Sequence, residues 1–175
     1  FLYTATNSVC QAAVTFTSQH YGARKFKRIG LVMRTCYLVT GIIAVVGTVL
    51  IVSLRHPLIG LYVSSEMAYE TAQTRIFILI IPYITLAFME VGSGVLRGLA
   101  RSMLSTTVTL VGCCLLRIVW LWTVFRIWPT LDIIYLSYPV SWLVTALTHF
   151  ACSQYVRHKC MRRLEAETAA AQAAG

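Results

Sequence analysis

Residues 71–101 read TAQTRIFILIIPYITLAFMEVGSGVLRGLAR, and this stretch decides the class of fold. From Ile76 to Met89 it carries no charge. Taken as a helix over about residues 72–97, it is long enough to cross a bilayer. Three features interrupt it: Pro82, the acid Glu90, and glycines at 92, 94 and 98 that close on Arg97 and Arg101. A carboxylate is expensive in hydrocarbon, so Glu90 asks for a partner or for water.

The rest of the chain repeats the pattern of long apolar runs between short charged clusters. Of 175 residues, 58% are hydrophobic and 12% are charged, with a mean hydropathy of +0.72. A soluble domain carries about 25% charged residues. The composition reads as an all-α, polytopic membrane protein whose first partner is the lipid bilayer. The net charge of +9 would point to nucleic acid in a soluble domain. Here the basic residues flank apolar runs, so they read as determinants of orientation, and no nucleic-acid partner is expected.

Five spans are predicted, at about residues 1–19, 29–54, 72–97, 103–126 and 133–155. Gly22 breaks the first, and Pro57 stops the helix after the second. Pro82 and Pro139 are expected to kink their helices. Residues 157–175 form a basic, then alanine-rich tail, helical to about Glu167 and frayed beyond it. Arg24, Lys25, Lys27, Arg28, Arg97, Arg101, Arg157, Lys159, Arg162 and Arg163 all fall on one side of these spans. Arg55 and Arg126 fall on the other. The positive-inside rule places the first group, and with it the C-terminus, in the cytoplasm, and Phe1 at the outer face. With no signal-like start, the chain reads as the C-terminal part of a longer protein.

Few residues can carry chemistry inside such a protein. Glu90 lies about 10 Å inside the end marked by Arg97, and Arg117 sits near the middle of the next, antiparallel span. A direct or water-bridged pair between them is expected. It reads either as a structural ion pair or as a cation or proton site whose acid is neutralised during a cycle. Asn7 and Gln11 share one face of the first helix, with Thr4, Ser8 and Thr15 near it. That polar stripe either bonds a neighbouring helix or lines a cavity. Tyr83 stacks two turns before Glu90, and Tyr138, Ser141, Trp142 and Thr145 make a similar stripe on the last span. Aromatics beside a carboxylate suit an organic cation. Trp120, Trp122 and Trp128 read as interfacial anchors.

The six cysteines have no zinc-like spacing; His149 and Cys152 are adjacent on a helix but lack further ligands. There is no phosphate-binding glycine loop and no Ser/His/Asp set, so neither enzyme chemistry nor a cofactor is expected.

Several segments resemble one transporter family, MATE (multidrug and toxic compound extrusion). Ser18-Gln19-His20-Tyr21-Gly22-Ala23 resembles its GQNxGA segment, with Ser18 for Gly and His20 for Asn. Pro57-Leu58-Ile59-Gly60-Leu61 is similar to its PLIGLF loop, and residues 93–101, SGVLRGLAR, to its SGxLRGxG turn. Leu116-Arg117-Ile118-Val119-Trp120 and Ser137-Tyr138-Pro139-Val140-Ser141-Trp142 resemble segments of bacterial members. The resemblance implies five of the six helices of the C-terminal lobe of a twelve-helix transporter, over residues 1–156. The N-terminal lobe would be its partner. It further implies a plasma-membrane antiporter that exports small organic cations in exchange for sodium ions or protons by alternating access. Several members carry their cation-linked acid at the position of Leu86; Glu90 is one turn further on, on nearly the same face. Two other readings are a lipid-linked oligosaccharide flippase of similar plan, which would want several cavity-facing cations, and a fragment that does not transport.

Overall fold

The structure is a computed structural model that describes residues 2–62, 80, 82–127 and 131–173. Every element in it is helical: α1 (Leu2–Gly22), α2 (Phe26–Ser53), α3 (Arg55–Tyr62), α4 (Tyr83–Gly98), α5 (Ser102–Thr109), α6 (Leu116–Ile127) and α7 (Leu131–Ala173). A π-helical turn, Leu110–Leu115, joins α5 to α6.

Among the described residues three stretches are long and apolar enough to cross a membrane: Phe26–Ser53, Ser102–Ile127 and Ile133–Gln172. They are the second, fourth and fifth expected spans. The first expected span forms α1, but its hydroxyls and amides keep it too polar to join them. Much of the third, including Arg75, lies outside the described residues. Exposed faces of α2 (Leu38, Ile42, Val46, Val49) and of α6 (Ile118, Val119, Trp122) are apolar, as a surface solvated by lipid must be.

α4 is the axis of the bundle. It packs against α1, α2 and α7, and buries Ala87, Met89, Val91, Val95 and Leu96. Val91, Val95 and Leu96 join Leu99, Ala13 of α1, Ile29, Met33 and Cys36 of α2, and Val156 of α7 in the apolar core. The α4 glycines divide its neighbours between them. A Cβ on Gly94 would lie 2.8 Å from the Cys10 carbonyl oxygen, and one on Gly98 would lie 2.8 Å from the Val14 carbonyl oxygen, both on α1. A Cβ on Gly92 would instead lie 2.7 Å from His149 Cβ on α7. Gly94 and Gly98, four residues apart, thus let α4 approach α1 closely.

Several sequence expectations need correction at the helix ends. Gly22 does not break α1; it is the last helical residue, and the reversal comes at Arg24, with φ 56°. Lys25 N–H donates to the His20 carbonyl at 2.9 Å and Arg24 N–H to the Tyr21 carbonyl at 3.1 Å, which is a Schellman cap. The end of α4 repeats it. Ala100 has φ 58°, Arg101 N–H donates to Leu96 O at 3.0 Å, and Ala100 N–H to Arg97 O at 3.1 Å. Pro57 is four residues beyond Ser53, where α2 ends as expected, and it falls in the first turn of α3, where no intrahelical N–H is needed. Pro82 stands at the N-cap of α4, and α7 runs through Pro139.

The tail is not frayed beyond Glu167. α7 continues without a break to Ala173, through residues of high helix propensity. Arg24 Nη1 meets Glu167 Oε2 at 3.1 Å, tying the first turn of the basic side to the tail.

Candidate functional site

The residues singled out in the sequence fall into two groups on different faces of the bundle. The first lies between α1 and α4. Thr6 donates its hydroxyl to the Tyr3 carbonyl at 3.0 Å, which leaves its oxygen free to accept from the Tyr83 hydroxyl at 3.3 Å. One turn further on, the Cys10 thiol donates to the Glu90 carbonyl oxygen at 3.1 Å. Arg97 then reaches back to the same sulfur, with Nη2 at 3.1 Å. The Glu90 side chain is half-buried, within electrostatic reach of both Tyr83 and Cys10.

Asn7 and Gln11 follow Thr6 and Cys10 directly, one helical step round α1 from this contact line; Asn7 is half-buried and Gln11 exposed. Beside them Thr4, Ser8, Thr15 and Ser18 are exposed. Their hydroxyls bond the helix itself: Ser8 to the Thr4 carbonyl at 3.0 Å, Thr15 to Gln11 at 3.0 Å, and Ser18 to Thr15 at 2.9 Å. The structure thus brings Tyr83 and Glu90 against α1 through Thr6 and Cys10, while Asn7 and Gln11 lie one step round the helix from that contact.

Arg117 belongs to the second group, and its expected pairing with Glu90 is not made. Among the described residues, the ion pair that forms within 4.0 Å is Arg24–Glu167. Arg117 Nε donates to Ser141 Oγ at 3.0 Å on α7. Its guanidinium carbon lies 4.2 Å from the centre of the Tyr138 ring and 5.8 Å from that of Trp142. Those two rings meet edge to face, 5.8 Å apart at 72°. The physical reason for the changed partner is the π turn at Leu110–Leu115. One extra residue in a helix turns everything beyond it by about 100°, so counting residues along an ideal helix aims Arg117 wrongly. Tyr138 and Trp142 thus have a cation, Arg117, beside their rings. Trp120 donates Nε1 to the Ile133 carbonyl at 3.1 Å, while Trp122 is exposed as expected of an anchor.

A third feature escaped the sequence reading. Ser137, Ser141, Thr145, His149 and Ser153 recur every four residues on α7 and are all buried. The π turn packs onto this line, because Gly112 sits against Thr145 so closely that a Cβ would collide with its side chain. Cys113 Sγ is 3.8 Å from Thr145 Oγ1, and His149 Nε2 is 3.4 Å from Thr109 Oγ1 on α5. The spacing of four was the available signal, but it fell within a span whose overall hydropathy concealed it. Among the described residues no group of three His, Cys, Asp or Glu side chains comes together that could hold a metal ion.

The arrangement has relatives among solved structures. The chain is similar to an inward-facing multidrug resistance MATE family transporter of the MOP superfamily, with a TM-score of 0.78 at 13% identity, over 87% of this chain and 36% of that one. It is similar to an outward-facing structure of such a transporter, with a TM-score of 0.76 at 14% identity, over 86% and 34%. The MATE transporter VcmN of Vibrio cholerae in the bent form also matches, with a TM-score of 0.73 at 13% identity, over 84% and 33%. The chain therefore spans about a third of the length of these transporters. Among curated proteins no sequence matches it. The MatE family model matches residues 1–123, and by that match this multi-pass, all-α membrane protein belongs to the MATE family of transporters.

Proposed function

We propose that this chain supplies five helices of the C-terminal lobe of a twelve-helix antiporter in the plasma membrane, with its C-terminus in the cytoplasm. The antiporter exports small organic cations in exchange for sodium ions or protons. One observation carries the reading: the half-buried Glu90 lies within electrostatic reach of the Tyr83 hydroxyl, which meets Thr6 of α1 at 3.3 Å, and α1 presents Asn7, Gln11 and its hydroxyls as a polar edge. An edge of amides and hydroxyls is stable in a membrane only against protein or water, unlike the apolar outer faces of α2 and α6. A carboxylate at such an edge suits a small cation or a proton. An N-terminal lobe across a water-filled cleft is the partner that this edge would face.

The resemblance to both an inward-facing and an outward-facing structure supports a unit that keeps its own fold while the cleft opens to alternate sides. The flippase reading is weaker, because it would want free cations along the cleft and Arg117 is held by Ser141, Tyr138 and Trp142. The test is Glu90→Gln in the full-length transporter, reconstituted in vesicles. Ion-coupled efflux is expected to be lost while membrane insertion is kept; normal efflux would overturn the proposal.

A further inference from the structure

We infer that His149 of α7 is an exchangeable proton site, with the proton arriving at and leaving from Nε2. The site depends on Thr109 of the neighbouring span. The inference deepens the antiport reading, since it supplies a place for a coupling proton apart from Glu90.

The hydrogen-bond inventory carries the argument. His149 Nδ1 lies 2.9 Å from the Thr145 carbonyl oxygen. A carbonyl only accepts, so Nδ1 must hold a hydrogen in every state. Nε2 then decides the charge of the ring. It faces Thr109 Oγ1 at 3.4 Å, and the Ser105 carbonyl also faces the ring. The Thr109 hydroxyl can also donate to the Ser105 carbonyl, at 3.0 Å.

Two arrangements satisfy every group. In the neutral ring, the Thr109 hydrogen points at the Nε2 lone pair. When a proton binds, Nε2–H donates to Thr109 Oγ1 and the Thr109 hydrogen swings to the Ser105 carbonyl. No buried group is orphaned in either state, and the change needs only the rotation of one hydroxyl. A histidine held as a purely structural donor would need a single acceptor, not a hydroxyl whose one hydrogen has two places to go.

His149 is fully buried, and the groups that face its ring are the Thr145 and Ser105 carbonyls and the guanidinium of Arg97 on α4. Among the described residues, Arg97 is the charged group of α4 that acts on the ring. α5 presents Ser105 and Thr109, and α2 presents the Tyr37 hydroxyl, which lies by Gly92 and has no hydrogen-bond partner. The Ser93 and Ser105 hydroxyls, 2.9 Å apart, continue the polar path from Thr109 toward the turn at Gly98. Arg97 also donates to Cys10, whose thiol donates to the Glu90 backbone carbonyl.

The step balances simply. A proton from water adds to the Nε2 lone pair, the ring gains one positive charge, and the same proton returns to water on release.

The test uses full-length protein with ¹⁵N-labelled histidine in lipid nanodiscs, without substrate. Imidazole nitrogens are followed from about pH 5 to pH 9, the range in which histidine ordinarily changes charge. The His149 signals are assigned by their absence in His149→Gln, or by removing His20, His56 and His158 if that variant does not fold. The expected result is that Nε2 gains and loses a proton while Nδ1 stays protonated. Thr109→Val should weaken proton binding on the order of tenfold, the worth of a hydrogen bond to a charged group, and Thr109→Ser should restore it. A ring held in one state across the range, or a titration indifferent to Thr109→Val, would overturn the inference. Because no substrate is present, either result is independent of whether Glu90→Gln abolishes efflux.

Discussion

Arg97, in the last turn of α4, places its guanidinium Nη2 3.1 Å from Cys10 Sγ on α1. The sequence gives Arg97 only the task of orienting a span. In the structure it closes a small network, since the same thiol donates to the Glu90 carbonyl at 3.1 Å. Among the described residues Arg97 Nε is buried with no partner, so this contact is a main anchor of the charge.

Replacing Cys10 with Val removes the sulfur and leaves the guanidinium without that acceptor. A loss of about 1–3 kcal/mol is expected, the cost of stranding a buried donor. Cys10→Ser, which keeps an acceptor, should lose less. Thermal unfolding in detergent measures both.

Glycine substitutions should separate by environment. Gly94→Ala and Gly98→Ala each push a methyl to 2.8 Å from a carbonyl oxygen of α1, which cannot yield without moving the helix. Each should cost about 1–3 kcal/mol, as overpacking does. A Cβ on Gly22 meets nothing within 4 Å, so Gly22→Ala should be neutral or mildly stabilising. Equal effects at the three positions would contradict the packing described.

Arg117 and Tyr138 should be energetically coupled. A double-mutant cycle of Arg117→Met with Tyr138→Leu is expected to return about 0.5–2 kcal/mol, the range of a cation–π contact from exposed to desolvated. Arg117→Lys should not substitute, because it loses both the Nε donor to Ser141 and the planar face on the rings. A coupling near zero would show the contact to be incidental.

The turn after α4 places Ala100 at φ 58°, in the left-handed region. A side chain there costs about 1 kcal/mol relative to glycine. Ala100→Gly should therefore stabilise the protein by up to that amount, seen as a raised midpoint of thermal unfolding. A lowered midpoint would mean that the methyl makes contacts outweighing the strain.

Much of this protein was readable along the chain. Helical class and membrane location followed from the long apolar runs. The polar stripe of Asn7 and Gln11 along α1 followed from their spacing of four. The partner of Arg117 did not follow, and neither did the role of His149, the site of the cap at Arg24, or the continuation of α7 to Ala173.

The division has one physical cause. Hydropathy and helix propensity are local sums over neighbouring residues, so the sequence by itself determined that the chain is helical, that it crosses the membrane and which side chains need polar company. Which company each one finds depends on the rotation of one helix against the next, and a single π turn changes that by about 100°. Tertiary packing alone decided that Arg117 meets Ser141 and two rings instead of Glu90. It also decided that Gly92 opens α4 to His149, while Gly94, on the stretch that first marked this chain as a membrane protein, opens it to Cys10.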